Sequence, residues 1–354
     1  MWVQEMMIGN HDAFVDSFRM SRETFLMLDD ELVDKAGLQA TRRISSVEQL
    51  AMFMYFAGHQ ATSANLQQRF QLSGETITRH LWRVLYAVKQ LTPTYMALPL
   101  ANSPTPAFME NNLKFTPYFS KYRMVIDACN FDLHFTYVLA GWEGSAGDGE
   151  VYADALEKGL TMDDDKYDIA DAGFGLTLRC LTPYRCIRYH LKEYSLGRLK
   201  PQRKDKIFNL RHAQVRNCIE RIFGIVKMRF PVMSHGVRYD YGFQVDLVIA
   251  LCTLNNYIRI SGVDCGVFEA QAAALIRQQR DMPLNQNERP QFANEPASEE
   301  AKRATFAAVS FGVPRWKRFD VLFLRQLGLT ALRQLVLEGA QSTQSRIGPL
   351  PLSP

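Results

Sequence analysis

The sequence predicts a mixed protein of the α+β or α/β class, in which helices come first and short strands follow. Two observations support this class. Apolar residues recur every three or four positions through most of residues 1–95, which is typical of helices that bury one face. After residue 118 they form short runs rich in Val, Ile, Phe, Thr and Tyr, which is typical of strands, until a long helical pattern returns at residues 208–230.

The length and composition limit the classes of protein that the chain can be. With 354 residues it is long enough for two or three domains. We expect a helical region at 1–95, a linker at 96–117, a strand-containing domain at 118–262 and a partly disordered tail at 263–354. A net charge of +4 permits nucleic-acid binding without arguing for it. Six cysteines without a CxxC pair predict reduced thiols inside a cell. No apolar run approaches the roughly 18 residues of a membrane span, so we expect no membrane partner.

The first region reads as a series of capped helices. Ser21 is the expected cap of a helix at residues 20–33, and Ser45 with Glu48 forms a capping box before the next. A short helix near 63–70, a turn at 71–73 and a longer helix capped by Ser73 then match a helix-turn-helix module. The outward face of the last helix carries Arg79 and Arg83, together with Thr78 and Lys89. This face either contacts DNA or is an ordinary solvated basic surface.

Acidic residues stand at the ends of the predicted strands. The segments 122–127 and 133–140 are expected to pair as a hairpin around the turn residues 130–132. A glycine-rich corner at 141–148 ends in Asp148, and a short strand at 167–172 is closed by Asp171 and Gly173. Carboxylates at strand ends can meet at one edge of a sheet, where they form a site for divalent metal ions.

The helix at 208–230 carries a further acid. Asn209 is its expected N-cap, and Val215, Ile219, Ile222, Phe223 and Val226 form its apolar stripe. Glu220 lies beside this stripe, where it is either a surface residue paired with Arg216 or a metal ligand. Strands first and then a late helix bearing an acid is the order of elements in an RNase H-like domain. Such a site requires hard oxygen ligands, because Mg²⁺ prefers carboxylate and water.

Several ordered motifs resemble the PIF/Harbinger transposases and the nucleases derived from them, within the DDE superfamily of endonucleases. The motifs are HQATSANLQQRFQLSGETITRHLWRVL, FDLHFTYVLAGWEGSAGD, DAGF, LTPYRCIRYHL and FNLRHAQVRNCIERIFGIVKMRF, and the likeness covers residues 14–258. It implies an RNase H-like nuclease domain, strand cleavage dependent on Mg²⁺ or Mn²⁺, and DNA as substrate. It further implies a Myb-like DNA-binding partner, a homo-oligomer as one possible assembly, and a nuclear location, with the cytoplasm as an additional one.

The resemblance carries roles onto particular residues. Asp148 matches the acid that closes the glycine-rich motif, Asp171 the acid of the DAG motif, and Glu220 the acid of the IER motif. The resemblance therefore implies metal binding by all three, with Asp148 and Glu220 as catalytic residues. Arg211, His212 and Arg216 match motif positions that imply either DNA-backbone contacts or support of the metal ligands.

The segment expected to carry the first catalytic acid departs from the family pattern. Family members have a strand with a GAIDGTH-like sequence and a loop before the FDLxFTYV motif, and about 30 residues of this segment are missing here by comparison with that pattern. In one interpretation, Asp127 ends the first strand and is a catalytic metal ligand, since losing a central strand would leave buried backbone groups unpaired. In another, residues 124–127 form the second strand and the first strand has been lost. In a third, the gene is decayed or has lost an exon, and Asp127 is there by chance.

Two functions from different classes follow. The first is a metal-dependent DNA endonuclease or transposase that uses two metal ions. The second is a catalytically decayed, transposase-derived protein that still binds DNA. A third, a phosphohydrolase with Arg185, Arg188 and His190 around an anion, is disfavoured because the sequence has no glycine loop to hold a phosphate.

Overall fold

The computed structural model describes residues 2–98, 125–126, 129–130, 132–142, 147–160, 168–174, 176, 180–184, 204–234, 237–262, 266 and 268–274. Helices dominate these residues and the strands are few and short. None of the described helices has the length and apolar character needed to cross a membrane. The predicted tail beyond 274 and most of the predicted linker lie outside the described residues.

Seven helices form the first region: α1 (Trp2–Ile8), α2 (His11–Phe18), α3 (Arg22–Asp34), α4 (Ser46–His59), α5 (Ser63–Phe70), α6 (Gly74–Gln90) and α7 (Thr92–Tyr95). The expected caps are confirmed. The side chains of Ser21 and Ser73 accept hydrogen bonds from the backbones of their first turns, and Ser45 and Glu48 form both halves of a capping box. Each cap satisfies an N–H group that has no partner inside the helix.

Helices are present at the three predicted positions as α4, α5 and α6, while their identity as a helix-turn-helix module stays a prediction. The apolar stripe of α6, formed by Ile77, Leu81, Val84, Leu85 and Val88, is fully buried. Only three residues, Gln71–Ser73, separate α5 from α6. The helices and the turn agree with the sequence, while the function of this region as a DNA-binding module stays a prediction.

The described strands form two separate pairs. β1 (Val125–Ile126) pairs antiparallel with β2 (Cys129–Asn130), and β3 (Asp168–Ile169) pairs parallel with β4 (Cys180–Leu181). β1 also contacts β3. Helix α8 (Asp148–Glu157) lies in the chain between the two pairs.

The predicted hairpin of 122–127 with 133–140 is wrong in its pairing. β1 pairs with the nearer segment 129–130, and Phe135 forms an isolated antiparallel bridge with Cys129. The expected turn at 130–132 does exist, since Asn130 N donates to His134 O and Leu133 N donates to Asn130 O. Burial alternates only at 133–135, because Thr136 is also buried and residues 137–140 are all half-buried. The alternating pattern of the sequence therefore did not mark a strand here.

Two long helices complete the described fold: α9 (Lys204–Arg229) and α10 (Tyr241–Ser261), with a 3-10 turn at Pro231–Ser234 between them and a helical stretch at 268–274 after them. The expected N-cap role of Asn209 is wrong, because α9 begins five residues earlier. Asn209 is instead buried inside the helix, where its side chain accepts from Tyr184 N and donates to Tyr184 O. The predicted apolar stripe of this helix is buried as expected.

Helix α10 joins the helical region to the strands. Its Asn256 accepts from Phe135 N and donates to the carbonyls of Phe135 and Tyr95. Its Asp246 forms an ion pair with Lys89 of α6, one of the residues predicted to face outward. Buried apolar residues from α1 through the stretch after α10 form one continuous core. The first helices and the strands therefore pack as parts of a single body.

Candidate functional site

Asp148 is the first residue of α8. The N-cap is Gly147, which has no side chain to cap the helix, and the Asp148 carboxylate lies in the first turn. A negative charge is favourable there because the N-terminal end of a helix carries partial positive charge. Asp148 is only 9% exposed. Asp148, at the end of the glycine-rich corner, therefore lies in a largely buried position.

Asp171 follows β3 and points to the same place as Asp148. Its Oδ1 accepts a hydrogen bond from Gly173 N at 2.9 Å, which folds the turn after the strand. A Cβ atom on Gly173 would overlap Asp148 Oδ2 and would lie 3.1 Å from Asp171 Oδ1. Oxygens of both carboxylates therefore border the same small space beside Gly173, which only glycine leaves open.

A hydrogen bond between buried side chains holds these two elements together. Tyr152, one turn after Asp148 on α8, donates its hydroxyl to the carboxylate of Asp168 in β3. The ring of Tyr152 also packs edge-on against Phe174, with 6.1 Å between ring centroids. Because Tyr152 and Asp168 lie close in sequence to Asp148 and Asp171, this contact fixes the distance between the two acids.

Helix α9 crosses this pair with a row of polar residues one turn apart. His212 is fully buried, and its Nε2 lies 3.2 Å from Leu181 O on β4. Arg216 is 5% exposed and its Nη2 lies 3.8 Å from Asp171 Oδ2. Glu220, one further turn along the same side, is exposed. The row thus passes from the strands, past Asp171, towards solvent.

Burial sets the charges of this row. Burial, and then the nearby Arg216 charge, lowers the pKa of His212 to about 3, so the ring is neutral at physiological pH. A carbonyl oxygen only accepts hydrogen bonds, so the neutral ring carries its proton on Nε2 and donates it to Leu181 O. Arg216 is then the positive charge that faces the acids. Of the two roles predicted for His212 and Arg216, this burial favours support of the acids.

The remaining predicted residues lie elsewhere or outside the described part. Asp127, which directly follows β1 in the sequence, is outside the described residues. Arg211 is half-buried and its Nη1 donates to Gln214 Oε1 at 3.0 Å. Arg79 and Arg83 are exposed on α6.

In the part of the chain that the structure describes, no three or more His, Cys, Asp or Glu side chains form a group able to hold a metal. The structure therefore brings Asp148 and Asp171 together, and the ligand roles of all four acids stay predictions.

The sequence analysis missed residues that organise the site. Tyr152, Asp168 and Asn209 act through contacts with segments 16 and 25 residues away, for which local sequence patterns give no signal. The need for glycine at 173 did have a signal, because a glycine two residues after the acid at a strand end is typical of a close approach.

The chain matches two family models. Residues 104–256 match the model described as DDE superfamily endonuclease. This confirms the resemblance at the level of the superfamily, over a stretch that contains all four predicted acids. Residues 1–90 match a domain of unknown function, DUF8040. Neither the curated proteins nor the solved structures gave a match to the chain.

Proposed function

We propose that this chain, whose residues 104–256 match the DDE superfamily endonucleases, is a metal-dependent DNA endonuclease of the Harbinger type. The observation that carries the proposal is the convergence of the Asp148 and Asp171 carboxylates beside Gly173. Two buried or half-buried carboxylates facing one space repel each other, and a divalent cation relieves that repulsion.

The residues present fit Mg²⁺ or Mn²⁺. Mg²⁺ is usually held by one or two carboxylates together with waters and substrate phosphates, which is what Asp148 and Asp171 offer. When bound, a metal pair activates water or a 3′-hydroxyl and stabilises the leaving oxygen of the cleaved phosphodiester. Asp148 and Asp171 would hold the metal. Arg216 would orient Asp171 and offset its charge, while neutral His212 holds α9 against β4.

Glu220 and Asp127 are proposed to complete the site. Glu220 lies one turn beyond Arg216, about 6 Å along the helix surface, and is open to solvent, where a DNA strand would arrive. Asp127 follows β1, which contacts β3 and α9. A parallel strand pair with an acid after β3 and a long helix across it is consistent with an RNase H-like arrangement. These relations support a four-acid site with Asp127, Asp148 and Glu220 as the catalytic residues.

DNA is the proposed substrate, and α6 is its proposed docking element. Arg79 and Arg83 are exposed on α6 and one turn apart, which suits contact with phosphates in a groove. Arg211 is a further contact candidate on α9. The nuclear location, the Myb-like partner and the homo-oligomer are proposed on the family resemblance alone.

The second candidate function is a decayed protein that binds DNA without cutting it. The observation that favours it is that Glu220 is exposed, whereas Asp148 is buried beside Gly173. In that case α6 would keep its function, and the Asp148–Asp171 pair would remain only as part of the fold.

A nicking assay on supercoiled plasmid with Mg²⁺ or Mn²⁺ separates the two functions. We expect metal-dependent nicking by the intact chain, reduced about 100-fold or more by Asp148→Asn or Glu220→Gln. Glu157→Gln is the matched control, because Glu157 is an exposed acid on the same helix as Asp148. Salt-sensitive duplex binding without any metal-dependent nicking would favour the decayed protein instead.

A further inference from the structure

A cleft of about 530 Å³ lies between the end of α3 and α6, away from the acids. Its floor includes Leu38, and its α6 wall is formed by Arg79, Trp82, Arg83 and Tyr86. Its volume falls within the roughly 300–1,000 Å³ of typical small-ligand sites. The cleft is therefore large enough for one flat ligand of moderate size.

The α6 wall presents two kinds of side chain in adjacent rows. Arg79 and Arg83 are separated by one helical turn, and so are Trp82 and Tyr86, so the four share one face of the helix. Tyr86 is 63% exposed, although the apolar stripe of the same helix is fully buried. Trp82 is partly buried and fixed edge-on against Phe243, with 5.0 Å between ring centroids. One row thus offers aromatic surface and the other offers cations.

The charges of the cleft favour an anionic ligand. Arg79 forms an ion pair with Glu75, whereas Arg83 has no ion-pair partner among the residues that the structure describes. Arg83 is exposed, so its guanidinium is available to a ligand at the cleft rim. Guanidinium groups bind phosphate oxygens through paired hydrogen bonds.

A ligand with a flat apolar face and a phosphate is a nucleotide. Inside an intact duplex the faces of the bases are covered by stacking, so away from the duplex ends Tyr86 and Trp82 can receive only a base that is unpaired. Two cations one turn apart suit the neighbouring phosphates of a strand better than the single phosphate of a free nucleotide. We propose that this cleft binds an unpaired nucleotide of a DNA strand, with its base on Tyr86 and its phosphates at Arg79 and Arg83.

This inference rests on the proposed action on DNA and extends the proposed role of α6, but it does not involve the proposed metal site, so the cleft and the endonuclease can fail separately. Tyr86 lies outside the proposed metal site, so nicking of plasmid by Tyr86→Ala is expected to match that of the intact chain. If the intact chain does not nick plasmid but binds single strands in a way that depends on Tyr86, the proposed endonuclease activity is overturned. The proposal for the cleft is then retained.

The test measures fluorescence anisotropy with the full chain and three labelled probes: a single-stranded oligothymidylate, the same strand with abasic positions, and a blunt duplex. We expect Tyr86→Ala to weaken binding of the oligothymidylate about tenfold, as loss of a stacked base does, and to leave the other two probes unchanged. Tyr86→Phe keeps the ring and should bind as the intact chain does. Ile260→Ala, at another exposed apolar residue, is the matched control.

Three results would overturn the proposal. Equal weakening of the abasic strand by Tyr86→Ala would show that no base is stacked there. Unchanged binding of every probe would show that the cleft takes no part. Competition by thymidine monophosphate as effective as competition by the unlabelled strand would identify a site for free nucleotides.

Discussion

The first seven helices and the region of the acids are held together by different kinds of interaction. In the helices, polar side chains bond to backbone two or three residues away, as Asn10, Ser21, Ser45, Thr62 and Ser73 do at their caps. Around the acids, the corresponding bonds cross long stretches of sequence: Asn209 bonds to Tyr184, and Asn256 bonds to Phe135. The starts of the first helices are therefore specified locally, whereas long-range bonds such as those from Arg19 to Gly58 O and from Tyr95 to Glu31 join these helices to one another. The arrangement around the acids is specified by the completed fold.

The largest effect that would test this contrast is expected from Gly173→Ala. The added Cβ would overlap Asp148 Oδ2, and the two acids would be forced apart. We expect this change to abolish metal-dependent nicking. We also expect it to abolish Mn²⁺ binding, measured by titrating the protein with Mn²⁺. Overpacking of this kind also costs about 1–3 kcal/mol of folding free energy.

Gly149→Ala is the matched control for that variant. Gly149 is the residue after Asp148 on α8, and a Cβ there meets no atom within 4 Å. The change should preserve nicking and slightly stabilise the helix, by up to about 1 kcal/mol. Equal activity of Gly173→Ala and Gly149→Ala would show that the convergence of the two acids has no role in cleavage.

The next effect concerns stability rather than nicking, and it is expected from acid, through His212. Its folded-state pKa is lowered to about 3 from the ordinary 6.5, so the unfolded chain binds a proton more readily than the folded chain. The contribution of His212 to the free energy of unfolding is therefore fully present above pH 6.5. It declines as the pH falls towards 3, by up to about 1.4 kcal/mol per pH unit.

Urea unfolding at several pH values, for the intact chain and for His212→Gln, would measure that decline. Glutamine cannot take up the proton, so its loss of stability between pH 6.5 and 4 should be less steep than that of the intact chain. Parallel curves would mean that His212 is not the buried neutral group that joins α9 to β4.

The smallest effect is expected in the first region. Ser45→Ala removes the side-chain acceptor for Glu48 N, and it should destabilise the protein by about 1 kcal/mol without changing metal binding. Glu48→Gln keeps a side chain that can bond back to Ser45 N, so it should change the melting temperature little. A large effect of Ser45→Ala on nicking would contradict the view that the start of this helix is specified locally.

The same contrast explains which sequence predictions succeeded. Caps such as Ser45 with Glu48, and the apolar stripes of α6 and α9, depend on neighbours within one or two turns, and the structure confirms them. The role of Asn209 depends on Tyr184, 25 residues away, and the prediction that it caps α9 was wrong. The predicted pairing of β1 was also wrong, although its partner β2 is only three to five residues away. Asn209 has the composition of a cap, but its hydrogen-bonding groups bind the backbone of Tyr184.

The site was predicted in part for the same reason. Asp148 and Asp171 stand in recognisable motifs, and the structure brings them together beside Gly173. The bond from Tyr152 to Asp168, which sets the distance between the elements that carry them, has no local pattern. Motifs indicate which residues take part, whereas contacts across the sequence determine how they are arranged.

The side chain of Asn256 bridges the carbonyl of Tyr95, just after α6, and the backbone of Phe135, beside the strands. Lys89 and Asp246 reinforce the same connection. These contacts hold the helix that is proposed to bind DNA at a fixed distance from the acids that are proposed to cut it. Cuts should then fall at a constant offset, counted in base pairs, from the bound sequence.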